Sequence, residues 1–141
     1  MTLRAYLTSM DSPHPERTLD LLEPGFRFLL ALPGKEVSGS SREDFAAYIA
    51  GRNPVDRAHE VLRHSQDGDV ETVYGVVTEN GRYSGSFLSA AVVSPDGLLA
   101  RYQSFFTTSF ALVDRPGEER PEPGDGPVAA ARPSTADGSR A

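Results

Sequence analysis

The apolar positions of the chain change their period about halfway along. Leu3, Tyr6, Leu7 and Met10 recur at helical spacing and predict a short amphipathic helix, which Ser12-Pro13-His14-Pro15 breaks. Pro15 suits the first turn of a second short helix, because its missing N–H would have no partner there. Leu19 and Leu22 supply the buried side of that helix, and Glu23-Pro24-Gly25 stops it. The run Phe26–Leu32 is apolar and aromatic and reads as a strand, followed by a polar loop from Pro33-Gly34 to Ser41. Ser40 with Glu43 fits a capping box, so a helix is expected over Arg42–Ala50, with Phe45, Tyr48 and Ile49 as its apolar stripe and Gly51 as its C-terminal cap.

From Asp56 the period becomes two. Gln66-Asp67-Gly68-Asp69, Asn80-Gly81 and Ser94-Pro95-Asp96-Gly97 are hairpin signals, since Asn-Gly and Asp-Gly tolerate the positive φ that such turns need. They separate four expected strands, Arg57–Ser65, Val70–Glu79, Arg82–Val93 and Leu98–Leu112, which form an antiparallel meander. Beyond Val113 the chain turns to Pro, Gly, Ala, Ser and charge. That composition cannot bury enough apolar surface to offset the entropy of ordering it. One domain over residues 1–113 and a disordered tail over 114–141 are therefore expected.

Composition removes several functions. With no cysteine in 141 residues, disulfides and thiolate metal sites are excluded. A net charge of −6, a single lysine (Lys35) and scattered arginines argue against nucleic acid as a partner. The N-terminus lacks an export-type apolar stretch, and no run approaches the roughly 20 apolar residues of a membrane helix, so a cytoplasmic protein that does not enter the membrane is expected. There is no paired-carboxylate pattern, nucleophile elbow or phosphate-binding glycine loop, hence no cofactor is implied.

Three stretches together, in this order, carry a resemblance: SSREDFAAYIAG, RAHEVLRHSQDGDVETVYGVV and DGLLARYQSFFT. Over about Leu3–Phe110 the chain resembles the SnoaL-like branch of the nuclear-transport-factor-2-like superfamily, which includes polyketide cyclases and relatives of ketosteroid isomerase and scytalone dehydratase. The resemblance implies an α+β cone: a strongly bent antiparallel sheet wrapped around three N-terminal helices, with a pocket between them. It implies isomerase, cyclase or dehydratase chemistry on a small hydrophobic or aromatic molecule, and a homodimer. The alternative on the same fold is a non-catalytic ligand-binding or dimerisation module.

Several catalytic relatives carry Tyr-x-Asp on the last strand. That pattern falls here on Phe105-Phe106-Thr107, and a threonine cannot accept a proton near neutral pH. His59, at a position where dehydratase-like relatives hold a pocket histidine, becomes the candidate catalytic group. His64, five residues on, should point to the opposite face of the strand, so no metal site is expected. The resemblance puts Arg101, Gln103, Phe105 and Thr107 in the cone, where the first two would bind a substrate oxygen. Hydrophobic patterning alone would instead turn inward the more apolar set containing Tyr102 and Phe106. If the first set lines the pocket, the second (Tyr102, Phe106, Phe110) is an apolar outer face for a partner subunit. Tyr6, Tyr48 and Tyr74 are candidate pocket linings, together with Phe28, Phe45 and Phe87.

Overall fold

The computed structural model of the protein describes residues 1–114, so the expected tail beyond Asp114 lies outside the described residues. Met1–Ala111 form one compact unit; the rest of the chain, from Leu112, is a second, of which Leu112–Asp114 contribute no helix or strand. Helix α1 (Thr2–Met10) buries Leu3, Tyr6, Leu7 and Met10, the stripe its spacing predicts. A 3₁₀ helix, Pro15–Leu21, starts on its proline and is tied back to α1 by the Thr18 hydroxyl on Ser9 Oγ at 2.7 Å. Helix α2 spans Arg42–Ala50 and ends at Gly51.

The cap of α2 sits one residue later than Ser40 and Glu43 suggest. Ser41 Oγ accepts the Asp44 N–H at 3.0 Å, and the Asp44 carboxylate accepts the Ser40 N–H at 2.9 Å. The Asp44 carboxylate thus reaches past the N-cap Ser41 to the residue before it, a variant of the reciprocal capping arrangement around the first turn. Phe45 then enters the core fully buried. Its ring meets Phe26 and Phe28 edge-on at 5.5 and 5.0 Å and Tyr48 at 5.4 Å. Pairs of this kind add about 0.5–1.5 kcal/mol each beyond area burial, and they fix α2 on the sheet.

Six strands form one sheet: β1 (Leu22–Leu32), β2 (Lys35–Gly39), β3 (Arg57–Asp67), β4 (Val70–Glu79), β5 (Arg82–Val93) and β6 (Leu99–Thr107). Their order is β2-β1-β6-β5-β4-β3. The expected meander is present, with Asn80 and Gly81 at φ 53° and 81° in the β4–β5 turn. Two features of the first half differ from the sequence reading. Pro33-Gly34, read as the start of a loop, is a hairpin turn with Gly34 at φ 78°, and β2 pairs antiparallel with β1 behind it. Strand β1 starts at Leu22, with Pro24-Gly25 inside an irregularity between Leu22 and Arg27 instead of ending a helix, and it pairs parallel to β6. The last strand stops at Thr107, short of Leu112.

Register shifts also interrupt β3 at Leu62, β5 near Ser84 and β6 at Ala100. Each places an extra residue on one strand, which bends it and increases its twist. Two glycines make the bends possible. A Cβ on Gly75 would lie 2.0 Å from Glu60 O and 2.9 Å from the Phe87 ring; on Gly85 it would lie 2.2 Å from Thr107 O and 2.9 Å from the Phe106 ring. Only a residue without a side chain lets neighbouring backbone and these rings approach so closely. The curved sheet folds over α1 and α2, and a cavity remains between them.

The helix α1 is held from the sheet side. Glu71 of β4 is buried, and its Oε1 accepts the Leu3 N–H at 2.8 Å. A carboxylate at a helix N-terminus satisfies an orphan donor and meets the positive end of the dipole. Among the described residues no helix is long and apolar enough to cross a membrane.

Candidate functional site

The cavity has a volume of about 490 Å³. Its deep part is built by Tyr6, Leu7 and Met10 of α1, Phe87 of β5, and Tyr102, Ser104 and Phe106 of β6. Tyr48 lines it from α2, and His59 from the edge strand β3.

His59 has a partner that sequence reading missed. Its Nδ1 lies 2.8 Å from Asp11 Oδ1 and 3.1 Å from Oδ2, and its backbone N–H donates to Asp11 Oδ2 at 2.6 Å. The side chains of His59 and Asp11 are only 17% and 16% exposed. Asp11 is the residue that ends α1, so the helix terminus delivers a carboxylate to the start of β3. The Phe87 ring meets the imidazole at 4.9 Å, nearly perpendicular, and fixes its plane from the other side. A carboxylate accepting from Nδ1–H leaves Nε2 as the nitrogen with a free lone pair. That pairing is what a positioned proton carrier requires: an oriented ring, one defined tautomer, and a negative charge to stabilise the imidazolium.

A second polar group is made only of hydroxyls. Ser89 Oγ lies 3.2 Å from Tyr102 Oη and 2.8 Å from Ser104 Oγ, and the Tyr6 and Tyr102 rings are 4.7 Å apart. Burial pushes the Tyr102 phenol above its ordinary value, although hydrogen bonds from Ser104, Ser89 and Tyr6 pull the other way. The Tyr6 phenol is raised well above its ordinary value, first by burial and then by the neighbouring Tyr102 and Tyr48. Both remain protonated donors throughout the neutral range. A cluster of preoriented O–H groups in a dry wall can hold a ligand oxygen and oppose charge that develops on it.

The facing of the last strand is the reverse of what the resemblance implied. Tyr102, Ser104 and Phe106 look into the cavity, whereas Arg101, Gln103 and Phe105 are exposed on the outer face. Arg101 and Gln103 border a separate depression with Arg27 and Ser38. The cause is the bulge at Ala100. Leu99 pairs with Val93 and Arg101 with Val92, so the inward Leu99 is followed by an inward Tyr102 three residues later. Thr107 turns aside to Ser109, at 3.0 Å from its Oγ and 3.2 Å from its N–H. Tyr74 is also absent from the cavity wall. Its register neighbour Leu88 is 48% exposed, and the next residue across, Phe105, is 54% exposed. The expected outer set fails in the same way, because Tyr102 and Phe106 face inward and only Phe110 is exposed.

Tyr6, Tyr48 and Phe87 line the cavity as expected, whereas Phe28 and Phe45 pack beneath it in the core. The bulge at Leu62 puts His64 in register with Val73, not on the face opposite to His59, but its side chain is exposed. Among the described residues no group of three or more His, Cys, Asp or Glu side chains could hold a metal.

This architecture is shared with solved structures. A candidate ketosteroid isomerase from Kribbella flavida is 22% identical, with 84% of this chain and 89% of that chain covered and a TM-score of 0.63. A candidate isomerase of the SnoaL-like family from Agrobacterium tumefaciens is 13% identical over 75% of this chain and 94% of its own, with a TM-score of 0.61. A de novo designed protein with a curved β-sheet is 20% identical over 75% and 82%, with a TM-score of 0.59. No family model matches the chain, and no curated protein does. The chain therefore has the α+β cone fold of these ketosteroid-isomerase-like and SnoaL-like structures. The likeness to a designed scaffold is a reminder that this shape by itself specifies no chemistry.

Proposed function

We propose that the cavity is a proton-transfer site for a small hydrophobic molecule with a carbonyl or hydroxyl oxygen, and that the protein catalyses an isomerisation, cyclisation or dehydration. The observation that carries this reading is the pairing of Asp11 with His59 Nδ1 in the wall of an aromatic cavity. His59 Nε2 removes a proton from carbon next to the carbonyl, and the electron pair moves onto the oxygen. Tyr102, supported by Ser89 and Tyr6, donates a hydrogen bond to that oxygen. Asp11 stabilises the imidazolium, which then returns the proton to a second carbon (isomerisation) or to a departing hydroxyl (dehydration). One positioned proton carrier contributes on the order of 10²–10⁴-fold.

The test uses cyclic enones and β-hydroxy ketones of one to three rings in deuterated water, with deuterium incorporation and product followed by mass spectrometry. Activity that disappears in His59→Ala and falls in Tyr102→Phe is expected. Turnover that persists unchanged in His59→Ala refutes this mechanism.

A partner subunit is part of the same reading, with a corrected surface. Leu88 and Phe105 are large, apolar and half exposed on the outer face of the sheet, and Tyr74 and Val70 belong to that face. We propose that a second copy covers it, since an isologous contact pairs one such patch with itself. Sedimentation velocity at micromolar concentration should give a dimer that Leu88→Glu dissociates; a monomeric wild-type chain refutes it.

A further inference from the structure

The charged side chains around the cavity are distributed against the overall charge of the chain. The protein carries 20 acids against 14 Lys and Arg, yet the cavity wall contains Lys35, Arg52 and Arg57 with a single carboxylate, Glu79. Glu79 is taken: its Oε2 lies 3.5 Å from Arg57 Nη2, across the β3–β4 register. Asp11 is taken as well, by His59. That leaves Arg52 and Lys35 without a carboxylate partner among the described residues.

Arg52 is the better placed of the two. It follows the cap of α2 and is half-buried, with its guanidinium 6.0 Å from the centre of the Tyr48 ring. Nη1 donates to the Met10 backbone oxygen at a long 3.5 Å and lies 3.8 Å from Met10 Sδ. These contacts fix the planar group over the aromatic wall and leave most of its five N–H donors unused. A partly desolvated guanidinium without a counter-ion is unfavourable unless an anion arrives. Lys35, exposed at the start of β2, adds a second positive charge to the same wall.

We propose that the ligand is an anion: a hydrophobic, ring-containing molecule with a carboxylate that pairs with Arg52 at the cavity mouth, while its reacting oxygen reaches the Tyr102 hydroxyl. This rests on the proton-transfer reading only for the inner half of the ligand. A planar carboxylate matches the forked geometry of Arg52 better than a point anion does. Lys35 contributes attraction at longer range, which salt screens.

The charge assignment can be tested without the natural substrate or any turnover. Binding of 2-naphthoate and of 2-naphthamide, which share size and shape, is measured by calorimetry on the full chain. The naphthoate should bind about tenfold more tightly at low salt, as expected for one partly desolvated ion pair. Arg52→Gln should remove most of that preference while changing the naphthamide affinity less than twofold. Arg52→Lys should keep a smaller part of it, and Arg101→Gln, on the outer face, should change nothing. His59→Gln should leave the preference intact, so failure of the catalytic reading and failure of this one are distinguishable. Equal affinities, a preference that survives Arg52→Gln, or binding of neither compound would overturn the proposal.

Discussion

The Asp11–His59 contact predicts a tautomer, and a tautomer can be measured without knowing the substrate. Asp11 accepts Nδ1–H of His59 at 2.8 Å in a setting where both side chains are less than one-fifth exposed. A hydrogen bond to a charged acceptor is worth about 1.5–3 kcal/mol, which corresponds to about 10- to 150-fold in a two-state equilibrium. In the neutral imidazole the Nδ1–H form should therefore dominate by at least about tenfold. Asp11→Ala removes the acceptor and returns the ring to the unassisted balance. It also strips the His59 backbone N–H of its 2.6 Å partner, so a stability loss of about 2–3 kcal/mol accompanies it. Long-range proton–nitrogen correlation spectra at about pH 9, well above the ordinary histidine range, distinguish the two forms directly. His64, exposed on the same strand, serves as the internal control. An Nε2–H form of His59 in the wild-type protein, or a spectrum unchanged by Asp11→Ala, would refute the oriented-carrier reasoning.

Alkaline conditions should weaken the fold through the buried phenols. Tyr6 and Tyr102 keep their protons in the folded state above the ordinary value of 10.0, so the folded chain binds more protons than the unfolded one from about pH 10 upward. Their contribution is complete below that value and is lost as pH rises through the window, which urea unfolding between pH 9 and 11 will show. Tyr6→Phe should flatten the dependence; a wild-type chain equally stable at both ends would exclude it. Glu71→Ala should cost about 1–3 kcal/mol, seen as a lower urea midpoint with unchanged slope, because the buried Leu3 N–H loses its acceptor. Gly75→Ala should be destabilising by more than the ordinary helix-or-strand preference of about 1 kcal/mol, since the new methyl meets the Glu60 backbone at 2.0 Å and the Phe87 ring at 2.9 Å. Thermal melting of that variant at wild-type stability would show that β3 can move away.

Much of the fold was legible because it depends on local chemistry. The stripe of α1, the stripe of α2 and the three positive-φ turns of the meander each identify themselves within a few residues. Strand β2 escaped because only five residues follow the Pro33-Gly34 turn, and a single apolar one among them, Val37, gives no alternation to read. The cap of α2 moved by one residue because two serines precede two acids, and spacing cannot choose between the pairs. The site was less legible for two reasons. Asp11 lies 48 residues from His59, and nothing near it in sequence distinguishes it from a residue that merely ends a helix. The facing of β6 depends on one extra residue, Ala100, which strict alternation cannot detect. Hydrophobic patterning nevertheless favoured Tyr102 and Phe106 for the interior, and burial follows that preference over alignment with relatives.

The Ala100 bulge has a consequence for how such cavities can change. Strand β6 pairs on both sides, with β1 and β5, so two ladders hold its register and its side-chain phase, and the extra residue is absorbed as a bend between Leu99 and Arg101. Deleting Ala100 would straighten the ladder and leave the faces as they are: Leu99 keeps Val93 and Arg101 keeps Val92, so Tyr102, Ser104 and Phe106 still line the cavity. The hydroxyl wall thus tolerates loss of the extra residue, and what changes is the bend of the strand behind it; a differently charged interior requires replacing wall residues or shifting β6 by one residue along both ladders.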